Sequence, residues 1–226
     1  MYLDWTMLLI LPGLLLGLWA QARVKSSFEK FSKVRTQRGI PSQELVRQLL
    51  SRQGVVDITI SPTQGTLSDH YDPSSNTLRL SQGVFGSDSV AAVGIAAHEA
   101  GHALQKEQGY SLLSLRSLMV PVVNIGSNLA WPIFVLGIIF SWKPLMYIGI
   151  ATFAAVVVFS LITLPVEFDA SRRANVMLSE SGYFTQEELN GVRTVLNAAA
   201  LTYVASFIST LLQLLRLVLI ARRRND

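Results

Sequence analysis

Long apolar runs separated by polar stretches are the strongest pattern along the chain. Three of them cover residues 3–20, 120–140 and 144–166. As helices, runs of this length cross the roughly 30 Å hydrocarbon core of a bilayer. The first run has tryptophans near both ends and lacks the positive residues and the small-residue cleavage site of a signal peptide. We therefore predict that the membrane is part of the fold.

The last apolar stretch, residues 198–220, has two interpretations. It either crosses the membrane as a helix or lies at the interface, because polar residues recur in it at helical spacing. A full crossing would place the C-terminal arginines outside the cytoplasm, against the positive-inside tendency. These polar positions are Thr202, Ser206, Ser209, Gln213 and Arg216.

The polar segments predict helices and a small β region. Residues 23–54 predict helix, with Ser42 as an N-cap and Gly54 after a last turn. A short β-branched strand is expected over 55–60. Two further strands, 66–72 and 77–81, flank a turn of Pro73, Ser74, Ser75 and Asn76.

Two more helices are indicated by their end signals. An alanine-rich helix is expected to begin near Ser87 or Asp88 and to end at Gly109. After the third apolar run, Thr185 and Glu188 have the spacing of a capping box. A polar helix is therefore predicted to lead into the last apolar stretch.

Composition narrows the possible chemistry. The 226 residues are 50% apolar and 15% charged, and they include no cysteine, so thiolate ligands, disulfides and cysteine nucleophiles are excluded. The net charge of +4 comes largely from eight basic residues between Arg23 and Arg52, just after the first run, opposed there by only two glutamates. Such a segment indicates a cytoplasmic, anionic-headgroup-facing surface rather than a nucleic-acid site.

The chemistry centres on an H-E-x-x-H sequence in the alanine-rich helix. His98 and His102 lie one helical turn apart on one face, so both imidazoles can reach a single ion. Glu99 lies about 100° further round the helix, where it can reach a water at that ion. The pattern is typical of metal-assisted peptide hydrolysis, with Glu99 as the general base.

A catalytic zinc site usually has a third protein ligand, and several residues are candidates. His70 is the only other histidine in the chain. Glu167, at the end of the third apolar run, is the preferred choice, and Asp169 is its closest competitor. Glu167 alternatively pairs with Arg172 or Arg173, or is simply solvated.

Three stretches together resemble the YugP-type zinc metallopeptidases of bacterial membranes, over nearly the whole chain. They are the H-E-x-x-H helix, the hairpin around Asp69–Pro73, and the sequence LPVEFDASRR from Leu164 to Arg173. The resemblance implies a gluzincin-like site in which His98, His102 and Glu167 hold zinc. It also implies an α+β membrane protein, mainly helical and multi-pass, with a small zincin-like hairpin or sheet beside the active-site helix.

A more distant similarity is to membrane peptidases of the Ste24 and HtpX type. Their third-ligand sequence E-x-x-A-D would end at Ser171 here, so serine replaces an aspartate that orients a ligand histidine. Asp169 is a possible substitute for it. In such folds a β edge binds extended substrate, which makes the hairpin of residues 66–81 a substrate site, with His70 or Tyr71 either at the tetrahedral intermediate or purely structural.

These predictions divide the chain into five parts and favour one function. The favoured function is a zinc-dependent endopeptidase of the cell (inner) membrane, with its zinc domain on the cytoplasmic side and membrane proteins or unfolded peptides as substrates. An inactive zinc-stabilised scaffold is the alternative, though structural zinc needs no adjacent Glu99. Divalent-metal transport is less favoured, because the two middle runs contain no charged residue.

The five predicted parts of the chain are a first transmembrane helix over 1–21, the zincin-like domain over 22–118, a transmembrane hairpin over 119–166, the third-ligand segment and polar helix over 167–197, and a C-terminal helix with a basic tail over 198–226.

Overall fold

The computed structural model describes residues 5–223 as six α-helices and one 3-10 helix, with one small sheet inserted among them. A 3-10 helix at Trp5–Ile10 leads directly into the first α-helix. The α-helices are α1 (Leu11–Phe31), α2 (Ser42–Arg52), α3 (Val90–Glu107), α4 (Ser111–Ile139), α5 (Lys143–Glu180) and α6 (Gln186–Arg223). The strands are β1 (Thr59–Thr63), β2 (His70–Asp72) and β3 (Thr77–Ser81).

Four of the described helices are long and apolar enough to cross a membrane, namely α1 with its preceding 3-10 turn, α4, α5 and α6. The prediction of a mainly helical, multi-pass α+β membrane protein is confirmed. The C-terminal helix, for which the sequence left two interpretations, is among the four. Asp4 and Arg224, which belong to the predicted first and last segments, lie outside the described residues.

The apolar parts of these helices form one compact unit, to which the described residues 5–21, 114–165 and 201–223 belong. Its packed centre contains Phe134, Met146 and Leu217, all at most 4% exposed. Large side chains elsewhere on the unit remain exposed, as expected of lipid-facing surface. Leu15 at 64%, Leu118 at 74% and Val122 at 66% are examples.

The second unit, residues 22–113 and 166–200, contains the sheet and helix α3. In the sheet, β3 is central, parallel to β1 and antiparallel to β2. Helix α3 packs against β2, β3 and α2. Leu78 and Leu80 on β3 are fully buried in this core, each contributing about 2 kcal/mol of hydrophobic free energy.

Several expected element boundaries were wrong. Pro41, not Ser42, occupies the N-cap position of α2, and the Ser42 hydroxyl donates instead to the Val84 carbonyl at 2.6 Å. The first strand begins at Thr59 rather than Val55, because β1 pairs in register with β3 from Thr59 onward. The predicted hairpin of β2 and β3 is confirmed, with β2 shorter than expected.

Helices α1 and α5 also differ from the expected boundaries. Helix α1 ends at Phe31, so the predicted helix over 23–54 is two helices separated by residues 32–41. Helix α5 continues past Pro165 to Glu180. A proline removes one helical hydrogen bond but does not prevent continuation when packing on both sides fixes the helix.

Candidate active site

Helix α3 places His98 and His102 side by side. Its N-cap, Ser89, accepts a hydrogen bond from the Ala92 amide at 3.2 Å, and Gly109, at a φ of +65°, follows its last turn. The two imidazole centroids are 4.9 Å apart with the ring planes at 83°. The expected one-turn stacking of the two histidines is therefore present.

Glu167, on α5, meets both histidines. Its Oε2 lies 3.2 Å from His98 Nε2 and 3.5 Å from His102 Nε2, and its side chain is almost fully buried. Ligands about 2.0–2.2 Å from a tetrahedral zinc ion lie about 3.3–3.6 Å from one another. Both Oε2–Nε2 distances thus fit ligands of a shared ion, the ligand atoms of the three residues all lie within 4.8 Å of one another, and two imidazoles with one carboxylate are a donor set that zinc accepts.

Small residues explain why α3 and α5 approach closely enough to share the site. A Cβ atom at Gly101 would lie only 2.5 Å from the Ala170 carbonyl oxygen. Ala100 and Ala170 are fully buried. Glycine at 101 is therefore required by this contact, and the alanine-rich composition of α3 serves the approach of the two helices.

Both histidines are held through their other ring nitrogen. His98 Nδ1 lies 3.0 Å from the Ser171 hydroxyl, and His102 Nδ1 lies 3.0 Å from Gln105 Oε1. Both rings consequently present Nε2 towards Glu167. Ser171, which stands where the resemblance to the Ste24 and HtpX type would place an aspartate, thus contacts a histidine of the cluster.

Asp169 is not part of the cluster of His98, His102 and Glu167. Its Oδ2 accepts from Gln105 Nε2 at 2.9 Å, and its carboxylate pairs with Arg172 and Arg173. Within residues 5–223, the group close enough to hold a metal ion consists of His98, His102 and Glu167. Asp169 therefore reaches His102 only through Gln105.

Glu99 is next to the cluster but is not engaged by it. It is 8% exposed, and its carboxylate accepts no hydrogen bond and forms no ion pair with any other described residue. Burial lowers the pKa of His102, but the hydrogen bond to Glu167 and the charges of Glu99 and Glu167 raise it above its ordinary value. The Glu99 charge is therefore close enough to His102 to raise its pKa, while no described residue bonds to the Glu99 carboxylate oxygens.

The hairpin residues are engaged in local contacts. His70 is exposed, with Nδ1 2.8 Å from the Ser68 carbonyl oxygen. The Tyr71 hydroxyl donates to Asn76 Oδ1 at 2.5 Å. Burial and the nearby charges of Asp72 and Glu107 raise the pKa of Tyr71 to about 12, so it keeps its proton at neutral pH.

One residue of the site was missed by the sequence analysis. Gln105 is fully buried, contacts His102, and links α3 to α5. Its signal in the sequence was a glutamine three residues after His102, inside the alanine-rich helix. A primary amide, with an acceptor oxygen and two N–H donors, rarely occupies such a buried position without partners.

Known proteins similar to this chain are described as zinc peptidases or membrane proteases. The family model described as "Putative neutral zinc metallopeptidase" matches residues 6–222. The chain is 45% identical over 218 residues to the "Putative membrane protease YugP" of Bacillus subtilis (strain 168), covering 96% of this chain and 97% of that protein. No solved structure matches the chain.

Proposed function

We propose, since the chain belongs to the putative neutral zinc metallopeptidase family, that it is a membrane-bound zinc-dependent endopeptidase. The observation that carries the proposal is that His98, His102 and Glu167 lie at the spacing of metal ligands. Glu99 is the neighbour of His98 in the chain, and its carboxylate bonds to no other residue among residues 5–223. A zinc-stabilised scaffold would need only the three metal ligands. Glu99, an acid beside them that bonds to no described residue, favours hydrolysis.

In this proposal each residue has one role. A zinc ion held by His98, His102 and Glu167 would polarise the scissile carbonyl and lower the pKa of a water bound at the remaining position. Glu99 takes a proton from the attacking water as its oxygen bonds to the carbonyl carbon. Glu99 then donates that proton to the amide nitrogen as the C–N bond breaks, giving a carboxylic acid and an amine.

We place the extended substrate along β2. This strand is at an edge of the sheet and, in the part of the chain that the structure describes, pairs only with β3. Helix α3 packs against it. An edge strand offers unpaired backbone groups to a peptide by strand addition, and His70 or Tyr71 would contact that peptide.

The proposed location is the cell membrane, with the zinc unit on the cytoplasmic side. Residues 22–113 and 166–200 fold together, so both segments lie on the same side of the membrane. Helices α4 and α5, which connect the two segments, would cross the membrane once in each direction. The basic segment between Arg23 and Arg52 belongs to this unit, which favours the cytoplasm. Membrane proteins or unfolded segments near the bilayer are the proposed substrates.

The test is cleavage of an unfolded casein by the purified full-length protein in detergent, with zinc content measured in each preparation. Glu99→Gln should keep the metal and lose at least about 100-fold in activity. Glu107→Gln is the matched control, because Glu107 is an exposed acid on the same helix, and it should cleave like the wild type. Zinc-loaded wild type without cleavage would favour the scaffold, and cleavage by Glu99→Gln equal to wild type would refute the assigned base.

A further inference from the structure

Gln105 makes three polar contacts while fully buried. Its Oε1 lies 3.0 Å from His102 Nδ1. Its Nε2 lies 2.8 Å from the Val166 carbonyl oxygen and 2.9 Å from Asp169 Oδ2. The amide oxygen and both amide hydrogens therefore each have a partner.

These partners fix the orientation of the amide by chemistry. A carbonyl oxygen and a carboxylate oxygen only accept hydrogen bonds, so the NH2 group of Gln105 must face Val166 and Asp169. Its oxygen must then face His102. An amide oxygen only accepts, so His102 Nδ1 must carry a hydrogen, and the lone pair of the neutral ring is at Nε2, towards Glu167.

The other histidine has a less restrictive partner. His98 Nδ1 contacts the Ser171 hydroxyl, which can donate as well as accept. This contact therefore does not by itself select a tautomer. Of the two histidines, only His102 has its proton placed by a group with a fixed role.

We propose that Gln105 is a positioning residue that selects the metal-binding tautomer of His102 and joins its ring to α5. The inference rests on the proposed zinc site and extends it to a residue outside the H-E-x-x-H motif. Asp169, itself paired with Arg172 and Arg173, holds the Gln105 amide in this orientation. From the sequence we expected Asp169 to orient a ligand histidine. In this proposal Asp169 does so indirectly, by holding Gln105, which contacts His102.

Two substitutions separate the positioning of His102 from the joining of α3 to α5. Gln105→Leu removes every hydrogen bond, whereas Gln105→Glu keeps an acceptor for His102 but opposes oxygen to oxygen at Val166 and Asp169. Positioning predicts that zinc affinity falls 10- to 100-fold in Gln105→Leu and is retained in Gln105→Glu, as expected for a partner of a ligand histidine. The melting temperature of the zinc-free protein should fall in both.

Gln108→Leu is the matched control. Gln108 also joins α3 to α5, by accepting from the Arg173 guanidinium, but it contacts neither histidine. Its loss should leave zinc affinity within about 3-fold of wild type, inside the range that partners of ligands exceed. If Gln105→Leu is not recovered folded, Gln105→Met, which also lacks a strong acceptor, takes its place.

The experiment measures the zinc dissociation constant of each full-length protein in detergent, by competition with a chromophoric chelator. Weakened zinc binding in Gln105→Leu alone supports the proposal. Unchanged affinity in Gln105→Leu, or an equal fall in Gln105→Glu or Gln108→Leu, overturns it. Because the readout is metal affinity, absence of peptide cleavage would count against the proposed function only, and a wild type that binds no zinc would overturn both.

Discussion

Gly101 and Ala170 determine the site as much as the ligands do, because they set the distance between the two helices that carry them. Gly101 precedes His102, and Ala170 follows Glu167 by three positions. At this point of contact there is no room for a methyl group. The Nε2–Oε2 distances of 3.2 and 3.5 Å depend on that approach.

Gly101→Ala should therefore impair folding and metal binding together. The new Cβ would lie 2.5 Å from a backbone oxygen of α5, which can be relieved only by moving a helix. Overpacking of this kind costs about 1–3 kcal/mol. We expect a lower melting temperature and weaker zinc binding, measured by thermal unfolding and chelator competition.

Gly17→Ala is the control, since a Cβ there would meet no atom within 4 Å. It should leave the protein at least as stable as the wild type, because alanine is favoured over glycine inside a helix by about 0.5–1 kcal/mol. Wild-type zinc affinity in Gly101→Ala would show that the helix approach is not what positions the ligands.

Tyr71→Phe distinguishes a structural from a catalytic hydroxyl. The Tyr71 hydroxyl is bonded to Asn76 in the hairpin turn, so its removal should cost about 1 kcal/mol of stability and leave kcat nearly unchanged. A hydroxyl that binds the tetrahedral intermediate would instead lower kcat about 100-fold or more. Steady-state kinetics with a fluorogenic peptide, beside thermal unfolding, decides between them.

At the scale of elements, the start of α6 is stabilised by the Glu188 side chain, which accepts two backbone hydrogen bonds. Glu188 accepts from the Thr185 amide at 2.7 Å, which completes the predicted capping box with the Thr185 hydroxyl. Its other oxygen accepts from the Gln37 amide at 2.6 Å. One buried carboxylate thus joins α6 to the segment that follows α1.

Glu188→Ala should destabilise the unit by about 1–2 kcal/mol, because two part-buried amides lose their acceptor and the α6 capping box loses its carboxylate. Glu187→Ala, at the exposed neighbouring position, should cost no more than about 0.5 kcal/mol. Thermal unfolding of the zinc-free proteins measures the difference. Equal melting temperatures for the two variants would contradict this assignment.

Elements that depend on neighbouring residues were predicted from the sequence, and those that depend on distant residues were not. The capping box, the hairpin turn and the apolar runs each depend on residues close together in the chain, so short-range patterns predicted them. The role of Ser42 was misread because its partner, Val84, is 42 positions away. The strand order, with β1 parallel to β3, likewise depends on pairing that short-range patterns do not specify.

The site divides in the same way. The H-E-x-x-H spacing predicted two histidines on one helical face from local geometry alone. Glu167 was preferred over Asp169 and His70 by position and by resemblance, and the clustered atoms include Glu167. Gln105 was missed because its role depends on Val166 and Asp169, about 60 residues further along the chain.

For the whole molecule, the absence of cysteine offers a direct test of the proposed topology. Gln82→Cys and Ser141→Cys place single thiols at exposed turns, one after β3 and one between α4 and α5. In intact cells an impermeant maleimide should label position 141 and should label position 82 only after permeabilisation. The reverse pattern would place the zinc unit outside the cytoplasm.

The central claim is that His98, His102 and Glu167 hold one zinc ion while Glu99 remains free to act as the base. The most direct test measures zinc content and casein cleavage in the same preparations of the wild type, Glu99→Gln and Glu167→Gln. We predict one zinc per wild-type chain with cleavage, one zinc without cleavage in Glu99→Gln, and loss of both in Glu167→Gln. Full zinc retention by Glu167→Gln together with zinc loss in Glu99→Gln would contradict the account.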